Sequence, residues 1–345
     1  MHARIHTVAG IRPDREVGNA EAGAAAGVSA EWITQRTGIT SRFVSDTDVT
    51  TLAVDVARRL LDSAEVDARD VDQVIVVTES SVHQSPPVAP TVAAAIGASR
   101  AGGFDVVAAC AGFAYALGLA RDQIVAGTSG SVLVVAAEQM SIWLDHTDAS
   151  TAPVFGDGAG AALVVASPVP GLWPAATLAD GTRRGLIGMR PAGWRRAFDA
   201  NPPVWPVVCM EGPAVYRWVV EHGPGLIAHA LERAGSTAAD IEVFVPHQAN
   251  LRITDALVSR SGLGHSIIAD DIRTSGNTSS ASIPLALARM LDAGIVRPGQ
   301  LALSMGFGAG MTAAAQVFRV PDRFGFAVAG DGSTTNEQQA GGSSR

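Results

Sequence analysis

Leu61-Asp62-Ser63-Ala64, then Asp70-Val71-Asp72-Gln73-Val74-Ile75-Val76-Val77, reads as a helix end, a turn and a buried strand. The same grammar returns 170 residues later, as Leu231-Glu232-Arg233-Ala234, then Asp240-Ile241-Glu242-Val243-Phe244-Val245. Each β-branched run is short and turn-bounded, as a strand buried on both faces should be. A second echo runs at an offset of 167: Cys110 opens a small-residue helix ending at Gly127, and Asn277 opens another ending at Gly294. The strands Val132-Leu133-Val134-Val135 and Leu301-Ala302-Leu303-Ser304 follow. Gly156-Asp157-Gly158-Ala159-Gly160 and Gly306-Phe307-Gly308-Ala309-Gly310 read as glycine turns, each leading into a final apolar run.

An ordered series of matches implies an α/β chain written twice, each half a mixed sheet covered by helices. The first half is expected over residues 1–170 and the second over 207–322. Residues 171–206, rich in Gly, Pro, Trp and Arg, read as an insertion or linker. Residues 323–345 read as a flexible tail, because 330–345 are almost wholly Gly, Ser, Thr, Asn and Gln.

Composition narrows the chemistry. All 25 basic residues are arginine. Without lysine there is no Schiff base, no pyridoxal phosphate anchor and no Walker lysine. Any phosphate must be held by arginine forks, backbone N–H groups or helix N-termini. The net charge of −8 argues against nucleic acid or an anionic membrane as the main partner. No metal-ligand spacing such as CxxC or HExxH occurs, no long apolar run suggests a membrane span, and a signal-peptide core is lacking at the start. A cytoplasmic location with reduced thiols is expected.

Two cysteines and eight histidines remain to be sorted. Cys110, in Ala108-Ala109-Cys110-Ala111-Gly112-Phe113, sits where a strand gives way to a helix. A helix N-terminus favours thiolate, so a lowered pKa is expected there, although a small buried core cysteine fits the local sequence as well. Cys209 has no such setting and reads as structural. His247 follows a buried strand in Pro246-His247-Gln248-Ala249-Asn250, at the strand end where catalytic groups of α/β sheets gather. His83, in a proline-rich loop, is its nearest rival. Asn277 alone would read as a helix N-cap. The duplication puts it in the slot that Cys110 fills in the other half, so both helix starts would face one centre.

These stretches together resemble the β-ketoacyl-[acyl-carrier-protein] synthase III family. The match rests on Ala109-Cys110-Ala111-Gly112-Phe113, Gly156-Asp157-Gly158-Ala159-Gly160-Ala161, Pro246-His247-Gln248-Ala249-Asn250-Leu251-Arg252-Ile253 and Gly276-Asn277-Thr278-Ser279. The resemblance implies the thiolase fold, two duplicated halves in a five-layered α-β-α-β-α arrangement, as a homodimer. It implies that Cys110 takes an acyl group from acyl-CoA. His247 and Asn277 would then stabilise the enolate left by decarboxylation of malonyl-acyl carrier protein. The N–H groups of Cys110 and Ala309 would form the oxyanion hole. Trp32, Arg36 and Arg252 match CoA-binding positions, and Arg217, Arg252 and Arg260 would form a patch for an acidic carrier protein. No metal or bound cofactor is implied. Elongating ketosynthases differ, with two histidines and a supporting lysine. The family often carries an arginine where this chain has Ala149. The alternative is acyl transfer to a hydroxyl, amine or second carrier, which needs His247 as a general base and no decarboxylation.

Overall fold

A computed structural model describes residues 1–328. The first half runs β1 (His2–Arg12), β2 (Arg15–Gly18), α1 (Asn19–Ala24), α2 (Ala30–Thr37), β3 (Ser41–Val44), α3 (Val49–Ala64), β4 (Gln73–Val77), α4 (Ala89–Ile96), β5 (Gly102–Val106), α5 (Gly112–Ala126), β6 (Ser131–Glu138) and β7 (Gly158–Ser167). Between the halves come β8 (Ala176–Ala179), β9 (Ile187–Arg190), α6 (Trp194–Phe198) and β10 (Val207–Met210). The second half runs α7 (Gly212–Ala234), β11 (Val243–Pro246), α8 (Leu251–Ser261), β12 (Ile267–Ile268), α9 (Ile272–Ser275), α10 (Ser282–Asp292), β13 (Leu301–Gly308), β14 (Thr312–Arg319) and β15 (Arg323–Val328).

Two mixed sheets carry the molecule, in the orders β15-β1-β7-β6-β4-β5 and β12-β11-β13-β14-β8. Helices α3 and α4 cover the outer face of the first sheet, where Leu52, Val56 and Leu60 meet Val74, Val76 and Leu133. Helices α7 and α8 cover the outer face of the second, with Trp218, Ile227 and Leu257 against Phe244 and Leu303. Between the sheets lie α5 and α10, whose Phe113, Leu117, Ile283 and Leu287 join residues of both sheets in one core. The result is the five-layered thiolase arrangement. Packing rather than capping holds these helices. The Asp48 cap of α3 is worth about 1 kcal/mol. Each buried Leu or Val contributes roughly 1.5–3 kcal/mol, as an upper estimate.

The structure corrects four expectations. One register of 170 relates the halves: β4 and β11, α5 and α10, and β6 and β13 all begin 170 residues apart. The short 3₁₀ turns Ala109–Ala111 and Ser279–Ala281 obey it too, each opening with φ of 49°. Cys110 therefore corresponds to Ser280, not Asn277. The offset of 167 arose because α10, at 11 residues, is shorter than α5, at 15. Second, the glycine stretches are largely strand. Gly158–Gly160 open β7, and Gly306–Gly308 close β13. A Cβ on Gly160 would lie 2.7 Å from Pro284 Cγ, and one on Gly308 would lie 2.7 Å from the Cys110 nitrogen. Glycine is there to let a helix and the Cys110 turn sit against strands. Third, the stretch 171–206 is not wholly an insertion. β8 pairs with β14 and fills the place that β1 takes in the first sheet. Fourth, the tail expected from residue 323 begins as a strand, for β15 runs parallel to β1 from Arg323 to Val328. Alternating Phe324 and Phe326 supply its β propensity. The rest of that tail lies outside the described residues. No helix among the described residues is long and apolar enough to cross a membrane.

Candidate active site

Two elements converge on the segment Asn277–Ser282. From the first half, β5 leads into the turn that carries Cys110, with Ala109 in left-handed backbone before it. The Cys110 Sγ–H donates to Ser279 Oγ at 3.4 Å. From the second half, β11 ends at Pro246 and presents His247, whose ring packs edge-on to Phe307 at 5.1 Å. His247 Nδ1 lies 2.7 Å from Ser282 Oγ, at the first residue of α10. Asn277 lies in the segment itself, and its Oδ1 accepts the Ser279 N–H at 2.8 Å. It is not the helix N-cap that its residue type suggested, since α10 starts five positions later.

These bonds assign donors and acceptors. The Gln248 N–H also points at Ser282 Oγ, at 3.3 Å, and can only donate. We assign the Ser282 hydroxyl as donor to His247 Nδ1, the arrangement that places the ring proton on Nε2. Asn277 Oδ1 is occupied by Ser279, which leaves Nδ2 as the free end. The site therefore offers two neutral N–H donors. Burial pushes the His247 pKa down to about 3, so the ring stays neutral at any working pH.

Cys110 departs from expectation. The helix start was expected to lower its pKa, but the thiol is pushed up to about 12. Burial is the main cause, and the Ser279 bond opposes it; the carboxyls of Glu138 and Glu79 raise it further. A thiol, not a thiolate, is the resting form. Glu138 is wholly buried at the end of β6 and accepts from Ser80 Oγ at 2.6 Å and Ser280 Oγ at 2.5 Å. Its own pKa is raised by burial, against the pull of these hydroxyls.

A cavity of about 240 Å³ opens beside the thiol. Cys110, Ser279, Ala309 and Glu79 form its polar end, and Met140, Trp143, Phe155, Met189, Trp194 and Val208 form its apolar wall. His247 and Asn277 are not in that wall. Trp143 stacks on Trp205 at 5.0 Å, and Trp194 meets both edge-on. Trp194 and Trp205 of the 171–206 stretch thus back the cavity, which their sequence context did not indicate. Glu79, Ser279 and Ser282 were missed as well. No local signal marks them, because each matters through a partner distant in sequence.

The remaining predicted residues fall elsewhere. Trp32 and Arg36 share α2, with the guanidinium 4.8 Å from the ring centre. Arg252, on α8, donates to the Gln35 carbonyl at 2.8 Å, which brings it to the same helix. None of the three lines the Cys110 cavity. Arg217 on α7 and Arg252 and Arg260 on α8 are exposed, and among the described residues none has an ion-pair partner. Cys209 lies on β10 as a free thiol bonded to the Gly188 carbonyl, and its neighbours Gly188 and Val208 reach the cavity. His83 sits on an exposed loop away from the cavity wall.

Comparison with known proteins agrees with this geometry. Residues 104–181 match the family described as 3-Oxoacyl-[acyl-carrier-protein (ACP)] synthase III, and residues 231–320 match its C-terminal part. The beta-ketoacyl-[acyl-carrier-protein] synthase III of Streptomyces lividans is 43% identical over 93% of this chain and 95% of its own length. The mycobacterial beta-ketoacyl-[acyl-carrier-protein] synthase III of Mycobacterium tuberculosis is 43% identical over 91% and 95%. The crystal structure of a priming beta-ketosynthase from a polyketide biosynthetic pathway superposes with a TM-score of 0.90, at 42% identity, covering 93% of this chain and 97% of that one.

Proposed function

Because the chain belongs to the β-ketoacyl-[acyl-carrier-protein] synthase III family, we propose that it primes fatty acid or polyketide assembly by decarboxylative Claisen condensation. Acyl-CoA transfers its acyl group to Cys110, releasing CoA. Malonyl-acyl carrier protein then enters, and its thioester carbonyl accepts hydrogen bonds from His247 Nε2–H and Asn277 Nδ2–H. Loss of CO₂ leaves an enolate there, whose carbon attacks the acyl-Cys110 carbonyl; the C–S bond to Cys110 then breaks, releasing 3-ketoacyl-carrier protein and a Cys110 thiolate that takes a proton from water. The N–H groups of Cys110 and Ala309 receive the oxyanion of that attack. One such donor is worth on the order of 10²–10³ in rate. No metal or bound cofactor enters these steps.

The observation that carries this reading is the Ser282–His247 bond. With the hydroxyl donating, it supports a neutral ring whose Nε2–H is the donor that a developing enolate requires. Plain acyl transfer to a hydroxyl or amine would need the same ring as a base, and burial with a protonated Nε2 opposes that. The apolar cavity wall suits an acyl chain. Trp32, Arg36 and Arg252 are the proposed grip on CoA, and exposed Arg217, Arg252 and Arg260 the proposed landing for an acidic carrier. A homodimer is proposed through β5, an unpaired sheet edge followed by Val107, which is 77% exposed. A reducing cytoplasm would keep both thiols free.

The test is sequential. The protein is incubated with acyl-CoA and its mass recorded, and then malonyl-carrier protein is added. The expected results are an acyl adduct on Cys110, then CO₂ and a 3-ketoacyl product. Acylation without CO₂ release would defeat the condensation reading.

A further inference from the structure

The condensing machinery leaves one step without a base. Cys110 rests as a thiol. His247 lies outside the cavity wall, and its Nδ1 is engaged by Ser282 Oγ at 2.7 Å. Besides Cys110, Glu79 is the one titratable side chain in the cavity wall among the described residues. It is clamped at both ends. Its N–H donates to Glu138 Oε2 at 3.0 Å, and its Oε1 accepts the N–H of Ala109, the residue before the nucleophile, at 2.8 Å. Its Oε2 has no hydrogen-bond partner in the protein among the described residues, and the side chain keeps accessible surface.

We propose that Glu79 is the catalytic base that takes the Cys110 proton during acylation. As Sγ bonds to the acyl carbonyl carbon, the thiol proton passes to Glu79 Oε2. As the thioester C–S bond breaks, that proton moves to the departing thiolate, and Glu79 returns to carboxylate. The assignment rests on Cys110 being the acyl acceptor. The titratable groups facing Glu79 are Glu138 and Cys110, and no cation pairs with it among the described residues. The residue as a whole is exposed to the cavity, yet the protein packed around its carboxyl, and then the charge of Glu138, push it up to about 7, where a group both accepts and returns a proton near neutrality.

The test uses the full chain in single-turnover acylation of Cys110 between pH 5 and 9, followed by intact mass. Two donors are compared: p-nitrophenyl acetate, which needs no docking, and acetyl-CoA. Glu79→Gln keeps an oxygen for the Ala109 N–H and is checked for an unchanged melting temperature; Glu79→Asp is the second variant. The expected result is a wild-type rate that rises through about pH 7 to a plateau. Glu79→Gln should be slower by about 10²-fold at pH 7 and lack the plateau, with Glu79→Asp intermediate. Glu79→Gln acylating at the wild-type rate or faster overturns the proposal, because the carboxyl would then only hinder ionisation. So does a wild-type Cys110 that the ester fails to load. If the ester loads Cys110 and acetyl-CoA does not, the CoA reading falls while Glu79 is still judged on the ester.

Discussion

Ser282→Ala is the most informative substitution, because it touches neither the nucleophile nor any substrate. In the wild type, its hydroxyl donates to His247 Nδ1 at 2.7 Å and accepts from the Gln248 N–H at 3.3 Å. Removal leaves a buried ring nitrogen and a buried amide without partners. Each unsatisfied group costs about 1–3 kcal/mol, so a stability loss of about 2–6 kcal/mol is expected. The kinetic effect has a different origin. Without the hydroxyl, nothing holds the ring proton on Nε2, and a share of molecules carries it on Nδ1. If the lost bond biased the tautomers by about 1.5–3 kcal/mol, nearly every wild-type ring carries the proton on Nε2, and losing that bias lowers the competent population about twofold. The assay separates the half-reactions. Cys110 loading by acyl-CoA should keep its rate, while ¹⁴CO₂ release from labelled malonyl-carrier protein should fall by that factor, in kcat rather than KM. Ser282→Thr keeps the hydroxyl and should recover most of it. Equal loss in both half-reactions, or none in decarboxylation, would refute the tautomer argument.

Four further outcomes follow from the same coordinates. Gly160→Ala should lower the melting temperature by an amount equivalent to about 1–3 kcal/mol, read by calorimetry, because the new Cβ meets Pro284 and the Leu285 nitrogen within 2.8 Å. Asp271→Asn should cost about 3–5 kcal/mol in urea unfolding, since it strips the counter-charge from largely buried Arg12 at 2.7 Å and from Arg289 at 2.8 Å. His247 is held neutral in the fold and titrates near 6.5 once unfolded, so its contribution to stability is lost as pH falls from about 6.5 towards 3, with a slope up to about 1.4 kcal/mol per pH unit. His247→Asn should therefore close the stability gap to wild type over that window, and urea midpoints that fall in parallel for both chains would count against it. Arg252→Glu should raise the KM for malonyl-carrier protein several-fold more than kcat changes, an effect that fades with added salt.

How much was legible in advance can be judged residue by residue. Cys110 and His247 were found because strand-to-helix and strand-end positions are local, and short windows of sequence carry them. Asn277 was found by its motif but for a faulty geometric reason. The offset that the shorter α10 created paired it with Cys110, whereas in the true register Ser280 takes the slot of Cys110 and Asn277 that of Val107. The depressed thiol pKa expected of a helix start was reversed by burial and by two carboxyls, one of them, Glu138, bonded to a serine 142 residues away. The 171–206 stretch reads from sequence as an insertion, yet its Trp194 lines the cavity and its Trp205 stacks behind it on Trp143.

Sequence alone determined the duplication, the α/β class, the absence of lysine chemistry and the candidate nucleophile. Those features are written in periodicity, residue type and short motifs, which need no partner to be read. Only the tertiary structure decided what state that thiol is in and which way the histidine faces. Cys110 meets Ser279 across 169 residues, and His247 meets Ser282 across 35. Protonation and tautomer depend on such neighbours and on the water they exclude: the thiol meets its partner when the two halves close on each other, the ring when α10 packs beside β11 within the second half.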